Sequence, residues 1–308
     1  MRTFPRSVVL IDGNNLGFAA QMSGGARLSV GALETTALYG FLRALRKLRE
    51  EHAGKPIVLW DGRSWRYEEY PDYKAGRDDR PEMRELRQSW SAARPMVAGA
   101  LRDLGVSQVI AANMEADDMA ARMRRVYADH GTTVTLISSD HDWLQLVGEG
   151  VSLFDPRKAR HVTLASFEDH VKLPSPMALA EMKALVGDKS DNIPGVGGIG
   201  EKTAQAILAR WGSVPAFVGA LRDNLDLRLD CDRRQLSLVD DPDKMARFAR
   251  NMRLIWLDHV DAPETKGARH IGGALNREAF ARCCEEWAFV SILKSLDEWV
   301  QPFARKDH

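Results

Sequence analysis

Cysteine is scarce in this chain. Cys231, Cys283 and Cys284 are the only three in 308 residues; an odd number with two sequence neighbours suits a reducing compartment better than a disulfide framework. No run of about 18 apolar residues occurs, and no charged-then-apolar leader opens the chain, so neither a membrane span nor a signal peptide is expected. The expectation is a soluble, intracellular protein without a membrane partner. Net charge is lacking too. Lys and Arg number 43 and Asp and Glu number 43, so the total gives no sign of a polyanionic partner. Internal repeats and low-complexity tracts are absent as well.

What is present is an ordinary globular composition, 44% apolar and 28% charged, in a length that suits a catalytic domain with a smaller module attached. Four short apolar runs read as buried parallel strands: Ser7 to Ile11 (SVVLI), Pro56 to Trp60 (PIVLW), Ser107 to Ala111 (SQVIA) and Thr132 to Ser138 (TTVTLIS). Between them Leu33, Ala37, Phe41, Ala44, Leu45 and Leu48 recur at helical spacing, and a second helix is expected from about Ala116 to His130. Alternation of this kind predicts an α/β fold, a doubly wound, mostly parallel sheet with helices on both faces. The stretch from about residue 63 to 105 breaks the rhythm. It is rich in Arg, Trp and Tyr, then becomes a long helix from Pro81, and reads as an excursion over the sheet. The character changes again near residue 174, where a soft domain boundary is placed between residues 1–173 and a helical region, 174–308.

Each strand is followed by acid: Asp12, Asp61, then Glu115 with Asp117 and Asp118, then Asp140 with Asp142. In a parallel sheet these points fall on one edge, where ligands bind. Asp188 and Asp191, in GDKSDN, join them if the following module folds back. One such acid is explained by turns and N-caps; four coincidences at one edge are not. Two carboxylates about 4 Å apart repel by roughly 4 kcal/mol at an effective dielectric near 20, so the cluster calls for cations. All-oxygen ligands point to hard ions, Mg²⁺ first with Mn²⁺ as a substitute. His141 reads as a solvated bystander. Carboxylates beyond one cation's needs imply a pair of ions about 3.5–4 Å apart, and with them phosphodiester hydrolysis. Setting these nine aside leaves 34 of the 43 acids against 43 basic residues, enough positive surplus for a nucleic-acid surface around an acidic centre.

The segment from Ile193 to Ala204 (IPGVGGIGEKTA) lies between two helical stretches, and no strand precedes it, so it fails as a dinucleotide loop. Gly195, Gly197, Gly198 and Gly200 let backbone approach a phosphate, the next helix offers free N–H groups, and Lys202 adds charge beside Thr203. This is the helix-hairpin-helix way of holding DNA backbone.

Six motifs, VVLIDGNNL, IVLWDGRSWR, YPDYKAGR, MEADDMAA, ISSDHDWLQLV and VGDKSDNIPGVGGIGEKTA, stand in order across residues 8 to 204. Together they resemble the flap endonuclease family, which includes bacteriophage 5′–3′ exonucleases and the 5′-nuclease domain of bacterial DNA polymerase I. A chain without a polymerase continuation is similar to the stand-alone forms. The resemblance implies a PIN-like fold with a helical arch and a C-terminal helix-hairpin-helix module, and a structure-specific 5′ nuclease of replication or repair, active as flap endonuclease and 5′–3′ exonuclease. It implies a monomer acting on DNA with 5′ flaps, 5′ ends or branches, RNA-primed DNA included, with two Mg²⁺ and a K⁺ at the hairpin. Carried over by motif, Asp12, Asp61, Glu115 and Asp117 resemble a first metal site. Asp117, Asp118, Asp140, Asp142, Asp188 and Asp191 resemble a second. Lys74 and Arg77 match a basic pair near the scissile phosphate, and Tyr73 an aromatic position that stacks on a base. Arg84 and Arg87 lie farther along the arch helix as DNA-binding positions. Trp65 and Tyr67 read as packing residues. Residues 205–308 match only loosely.

Three other readings compete. A PIN-type ribonuclease shares the strand-end acids but needs neither hairpin nor arch. A non-catalytic branched-DNA-binding protein predicts losses among the acids, and none is lost. A nucleotide-binding oxidoreductase requires a glycine loop where DGNNLG stands.

Overall fold

A computed structural model describes residues 4–22, 28–31, 33–77 and 79–305, apart from the side chains of Leu33 and Asp223. Its seven-stranded sheet contains β1 (Ser7–Asp12), β2 (Lys55–Trp60), β3 (Ser107–Ile110), β4 (Thr133–Ile137), β5 (Val151–Asp155), β6 (Arg160–Val162) and β7 (Arg269–Ile271), in the spatial order β7-β3-β2-β1-β4-β5-β6. The five central strands are parallel, and β6 and β7 close the two edges antiparallel. Val8, Val9, Leu10 and Ile11 of β1 and Ile57, Val58, Leu59 and Trp60 of β2 are all buried. A strand covered on both faces needs such an uninterrupted apolar run. The first four strands are the four expected from the sequence, each within a residue or so of its expected bounds.

One face carries α1 (Gly13–Met22), α2 (Thr36–Glu51) and α3 (Pro81–Asp103); the other carries α4 (Ala116–Asp129). Helix α2 begins at Thr36, so Leu33, counted in the helical phase from sequence, lies instead in a two-residue strand before it. The stretch expected as an excursion divides. Its first part, through residue 77, is a four-residue helix and turns at the carboxyl edge. The later half of α3 lies on the sheet, burying Trp90, Ala93, Val97, Ala100 and Leu101 against α1 and α2.

Beyond residue 174, α5 (Pro176–Val186), α6 (Glu201–Trp211) and α7 (Pro242–Ile255) form a helical group. The chain then returns to the sheet. β7 pairs with β3, α8 (Arg277–Glu286) follows, and Phe280, Trp287, Phe289, Trp299 and Phe303 join the core beneath α2 and α3. Arg46 Nε donates to the Trp299 carbonyl at 3.1 Å, and the Asn276 amide to the Asp103 carbonyl at 2.7 Å. This return left only a weak trace in the sequence.

Candidate metal centre and nucleic-acid interface

The parallel strands end on one edge, and each delivers acid there. Asp12 closes β1 and is 6% exposed, accepting from the Asn15 amide and the Ser138 hydroxyl, both at 2.9 Å. Asp61 follows β2; the Ala116 amide at the start of α4 donates to its Oδ1 at 2.7 Å, and Asn14 Nδ2 to its Oδ2. Glu115 is the N-cap of α4, and Asp117 stands in that helix's first turn, where free amides favour anions. Trp143 Nε1 donates to Asp117 at 2.6 Å. Asp140 caps the 3₁₀ turn His141–Leu146 by accepting from the Asp142 amide at 2.9 Å.

The helical group folds back over this edge and brings Asp188 and Asp191 with it. Tyr73 donates its hydroxyl to Glu115 and to Asp191, 2.9 Å from each, and the Lys74 amide donates to the Asp191 carbonyl at 2.9 Å. Asp142, Asp188 and Asp191 each offer an oxygen within 4.8 Å of the others. That donor set is all oxygen, as hard divalent cations require.

The electrostatics show what the edge lacks. Burial, then Asp61, push the Asp12 carboxyl up to about 7. Burial raises Asp61 and, with Asp140 and Asp12, lifts Asp117 well above the carboxylate range. Asp142 is lifted to about 6 by burial, although Lys183 opposes the rise. Where side-chain cations stand, the trend reverses. Burial would raise Glu115 too, but Lys74 and Arg66 overcome it and hold the carboxyl at about 2. Asp188 is likewise held below its ordinary value, Lys183 outweighing burial. At Asp12, Asp61 and Asp117 burial and like charge drive the carboxyl toward protonation, and at Asp142 burial does so even against its Lys183 partner; bound cations relieve that state.

Several expected roles change once the side chains are placed. Tyr73, read as a stacking platform, is 3% exposed and spends its hydroxyl on two carboxylates, so it presents no ring to a base. Asp118, carried over as a second-site ligand, is turned inward: its side chain closes the α4 capping box onto the Glu115 amide at 3.1 Å and pairs with Arg66. Lys74 is paired with Glu115 and takes φ 58°, strained for a residue with a side chain. Arg77 pairs with Asp191 at 2.8 Å. Arg84 is exposed and Arg87 half-buried near the start of α3, Arg87 donating to the Arg77 carbonyl.

The residues that sequence reasoning passed over are Arg66, Lys183, Asn14, Asn15, Ser138 and Trp143. All but Lys183 stand inside or beside the motif strings, but nothing in their spacing marks them as partners of the acids. Lys183 lies in α5, five residues before Asp188, and bridges Asp142 and Asp188. Asp155, at the end of β5, is a further buried acid, accepting from the Ser139 hydroxyl at 2.5 Å.

The glycine segment turns between α5 and α6. At Gly195 a Cβ would fall 2.3 Å from the Val186 carbonyl oxygen, while Gly197 and Gly198 take φ of +88° and +74°. Gly200 caps α6 in open space, with Lys202 exposed and Thr203 half-buried in the first turn. From α7, Arg247 donates to the Val196 carbonyl at 3.3 Å, and buried Asn251 to the carbonyls of Ala184 and Pro194 at 2.9 and 2.8 Å.

A sheet edge crowded with carboxylates, joined there by Asp188 and Asp191 from a module with a glycine turn between two helices, defines a class: α/β proteins with an all-oxygen donor set suited to hard cations. Residues 7–172 match the 5′–3′ exonuclease N-terminal resolvase-like domain, and residues 174–259 the 5′–3′ exonuclease C-terminal SAM fold. The chain belongs to the 5′–3′ exonuclease family. It is 34% identical to the thermostable DNA polymerase I of Thermus filiformis over 97% of this chain and 38% of the relative. It is 32% identical to the DNA polymerase I of Chloroflexus aurantiacus over 96% of this chain and 31% of the relative. The chain thus spans about a third of the length of these relatives. In fold it is similar to the bacteriophage T5 flap endonuclease in a complex with DNA and metal ions, with TM-score 0.66, 24% identity, and coverage of 96% of this chain and 100% of the other. The catalytic core of Rad2 in complex with DNA substrate superposes with TM-score 0.58 at 16% identity, covering 98% of this chain and 93% of the other.

Proposed function

We propose that the protein is a structure-specific 5′ nuclease, acting as flap endonuclease and 5′–3′ exonuclease on DNA with 5′ flaps, 5′ ends or branches through two divalent cations, Mg²⁺ in the first place. The observation that carries this reading is that the module bearing the glycine turn delivers Asp188 and Asp191 to the same edge as the strand-end acids. The family membership and the DNA and metal complexes of proteins sharing the fold support it. Asp12, Asp61, Glu115 and Asp117 would hold a first cation; Asp117, Asp140, Asp142, Asp188 and Asp191 would hold a second. Bound there, such cations activate water and stabilise the leaving oxygen.

The chain's own residues orient and anchor. The hairpin backbone and the α6 N-terminus, with Lys202, fix the duplex arm without reading bases. Arg84 and Arg87 guide the 5′ strand. Lys74, paired with Glu115, would answer charge that builds on an attacked phosphate, with Arg77 one turn of chain away on Asp191. A DNA flap labelled at its 5′ end, incubated with Mg²⁺ and with EDTA, tests the proposal. Discrete short products should form near the junction with Mg²⁺ only. Uncut flap at saturating Mg²⁺, or cleavage confined to an RNA strand, overturns it.

A further inference from the structure

Arg66 is 3% exposed, and its guanidinium is engaged along the whole fork. Nε donates to the Leu254 carbonyl at 2.6 Å, Nη2 to Asp118 Oδ1 at 2.9 Å, and Nη1 to Asp118 Oδ2 at 3.0 Å and Glu115 Oε2 at 3.2 Å. Asp118 Oδ2 also accepts the Glu115 amide at 3.1 Å. A carboxylate offers about four lone-pair directions; those interactions use three of Asp118's, in a group that is itself 3% exposed. Little of Asp118 is left for a cation. Its neighbour Asp117, by contrast, receives only the Trp143 indole among the described side chains and feels Asp140, Asp12, Glu115 and Asp61.

We propose that Asp118 is the counter-ion that fixes Arg66 rather than a metal ligand, and that Arg66 is a positioning residue which sets the Glu115 carboxylate against the first cation site. The proposal rests on the two-cation reading of the edge. Groups behind a ligand orient it and tune its basicity, and a planar fork does this where a point charge does not. The third arm of the fork adds a connection: Leu254 belongs to α7, the helix whose Arg247 and Asn251 hold the hairpin carbonyls. One guanidinium thus fastens the phosphate-approaching module to the centre it serves.

The test uses the full chain with Asp118→Asn and, separately, Arg66→Lys. Mn²⁺ binding without DNA is counted by electron paramagnetic resonance of the free ion, and flap affinity in Ca²⁺ is measured apart from the single-turnover rate. Wild type should bind two Mn²⁺. Both variants should still bind two, one of them weakened by about 10- to 100-fold, with the single-turnover rate at saturating DNA lowered on the same scale and flap affinity kept within a few-fold. Outright loss of one ion in Asp118→Asn makes Asp118 a ligand and overturns the proposal. Wild-type Mn²⁺ affinity and cleavage rate in both variants, whatever their melting temperatures, reduce the pair to packing and overturn it too. Fewer than two ions in the wild type removes the two-cation reading and the proposal with it. Should Arg66→Lys not fold, Asp118→Asn alone decides.

Discussion

Removing one acid from the edge should make the cation-free protein more stable while ending its chemistry. Asp12 is the residue on which the effect can be sized, since its carboxyl rises from 3.8 to about 7, chiefly through burial and then Asp61. Between those values the folded protein without cations keeps a proton that the unfolded chain has released, so stability declines as pH rises across that window and stays low above it. Three pKa units at 1.36 kcal/mol each amount to about 4 kcal/mol; shared among coupled acids, the gain for one residue is about 1–4 kcal/mol. Asp12→Asn keeps an amide oxygen for the Asn15 amide and an NH₂ that reaches the Ser138 hydroxyl, so the hydrogen bonds seen at 2.9 Å have successors. In EDTA near pH 8 the variant should melt a few degrees above the parent. The advantage should shrink toward pH 4, and Mg²⁺ should stabilise the parent more than the variant. Calorimetry across pH with and without Mg²⁺ measures all three. An advantage that is absent at pH 8, or constant with pH, refutes the idea that uncompensated charge at this edge costs stability.

Lys74→Ala should lower single-turnover cleavage by about 10²-fold with affinity within a few-fold; a wild-type rate with weaker binding makes the lysine a strand-positioning residue. Asp140→Asn and Asp191→Asn should each abolish cleavage and leave the circular-dichroism spectrum unchanged, and substantial turnover in saturating Mg²⁺ would take them out of the centre. Around the hairpin, Gly195→Ala should destabilise the fold, because its methyl meets the Val186 carbonyl at 2.3 Å, whereas Gly200→Val, in open space, should fold and bind a hairpin duplex more weakly in Ca²⁺. Equal affinity of Gly200→Val and wild type shows that this turn is structural only.

The strands and their acids were legible in the sequence because a parallel strand buried on both faces has no polar alternation to disguise it, and the acid that follows it marks the carboxyl edge. Asp188 and Asp191 became legible only through the hairpin motif, since nothing local says that their module folds back. Asp118 was not legible. An acid at the third position of a helix looks the same whether it caps, pairs with an arginine or holds a metal, and the arginine it pairs with, Arg66, is 52 residues away. Tyr73 matched an exposed role by position, but the two carboxylates that draw its hydroxyl inward come from two later motifs, the fourth and the sixth. The return of the chain after residue 259 left only a weak trace. β7 is three residues long and mostly exposed, and its aromatic partners are too widely spaced to show a period.

That return has a consequence for how the molecule reaches its folded state. The core under α2 and α3 is completed by Phe280, Trp287, Trp299 and Phe303, and the β3 edge is covered by β7, so the part of the sheet made first waits for residues far later in the chain. Contacts that span most of the chain, such as Tyr39 with Ser291 and Arg46 with Trp299, are slow to form and leave apolar surface open until they do. A fragment cut near residue 259 would keep every acid and the whole hairpin, yet emerge with the underside of its catalytic layer bare.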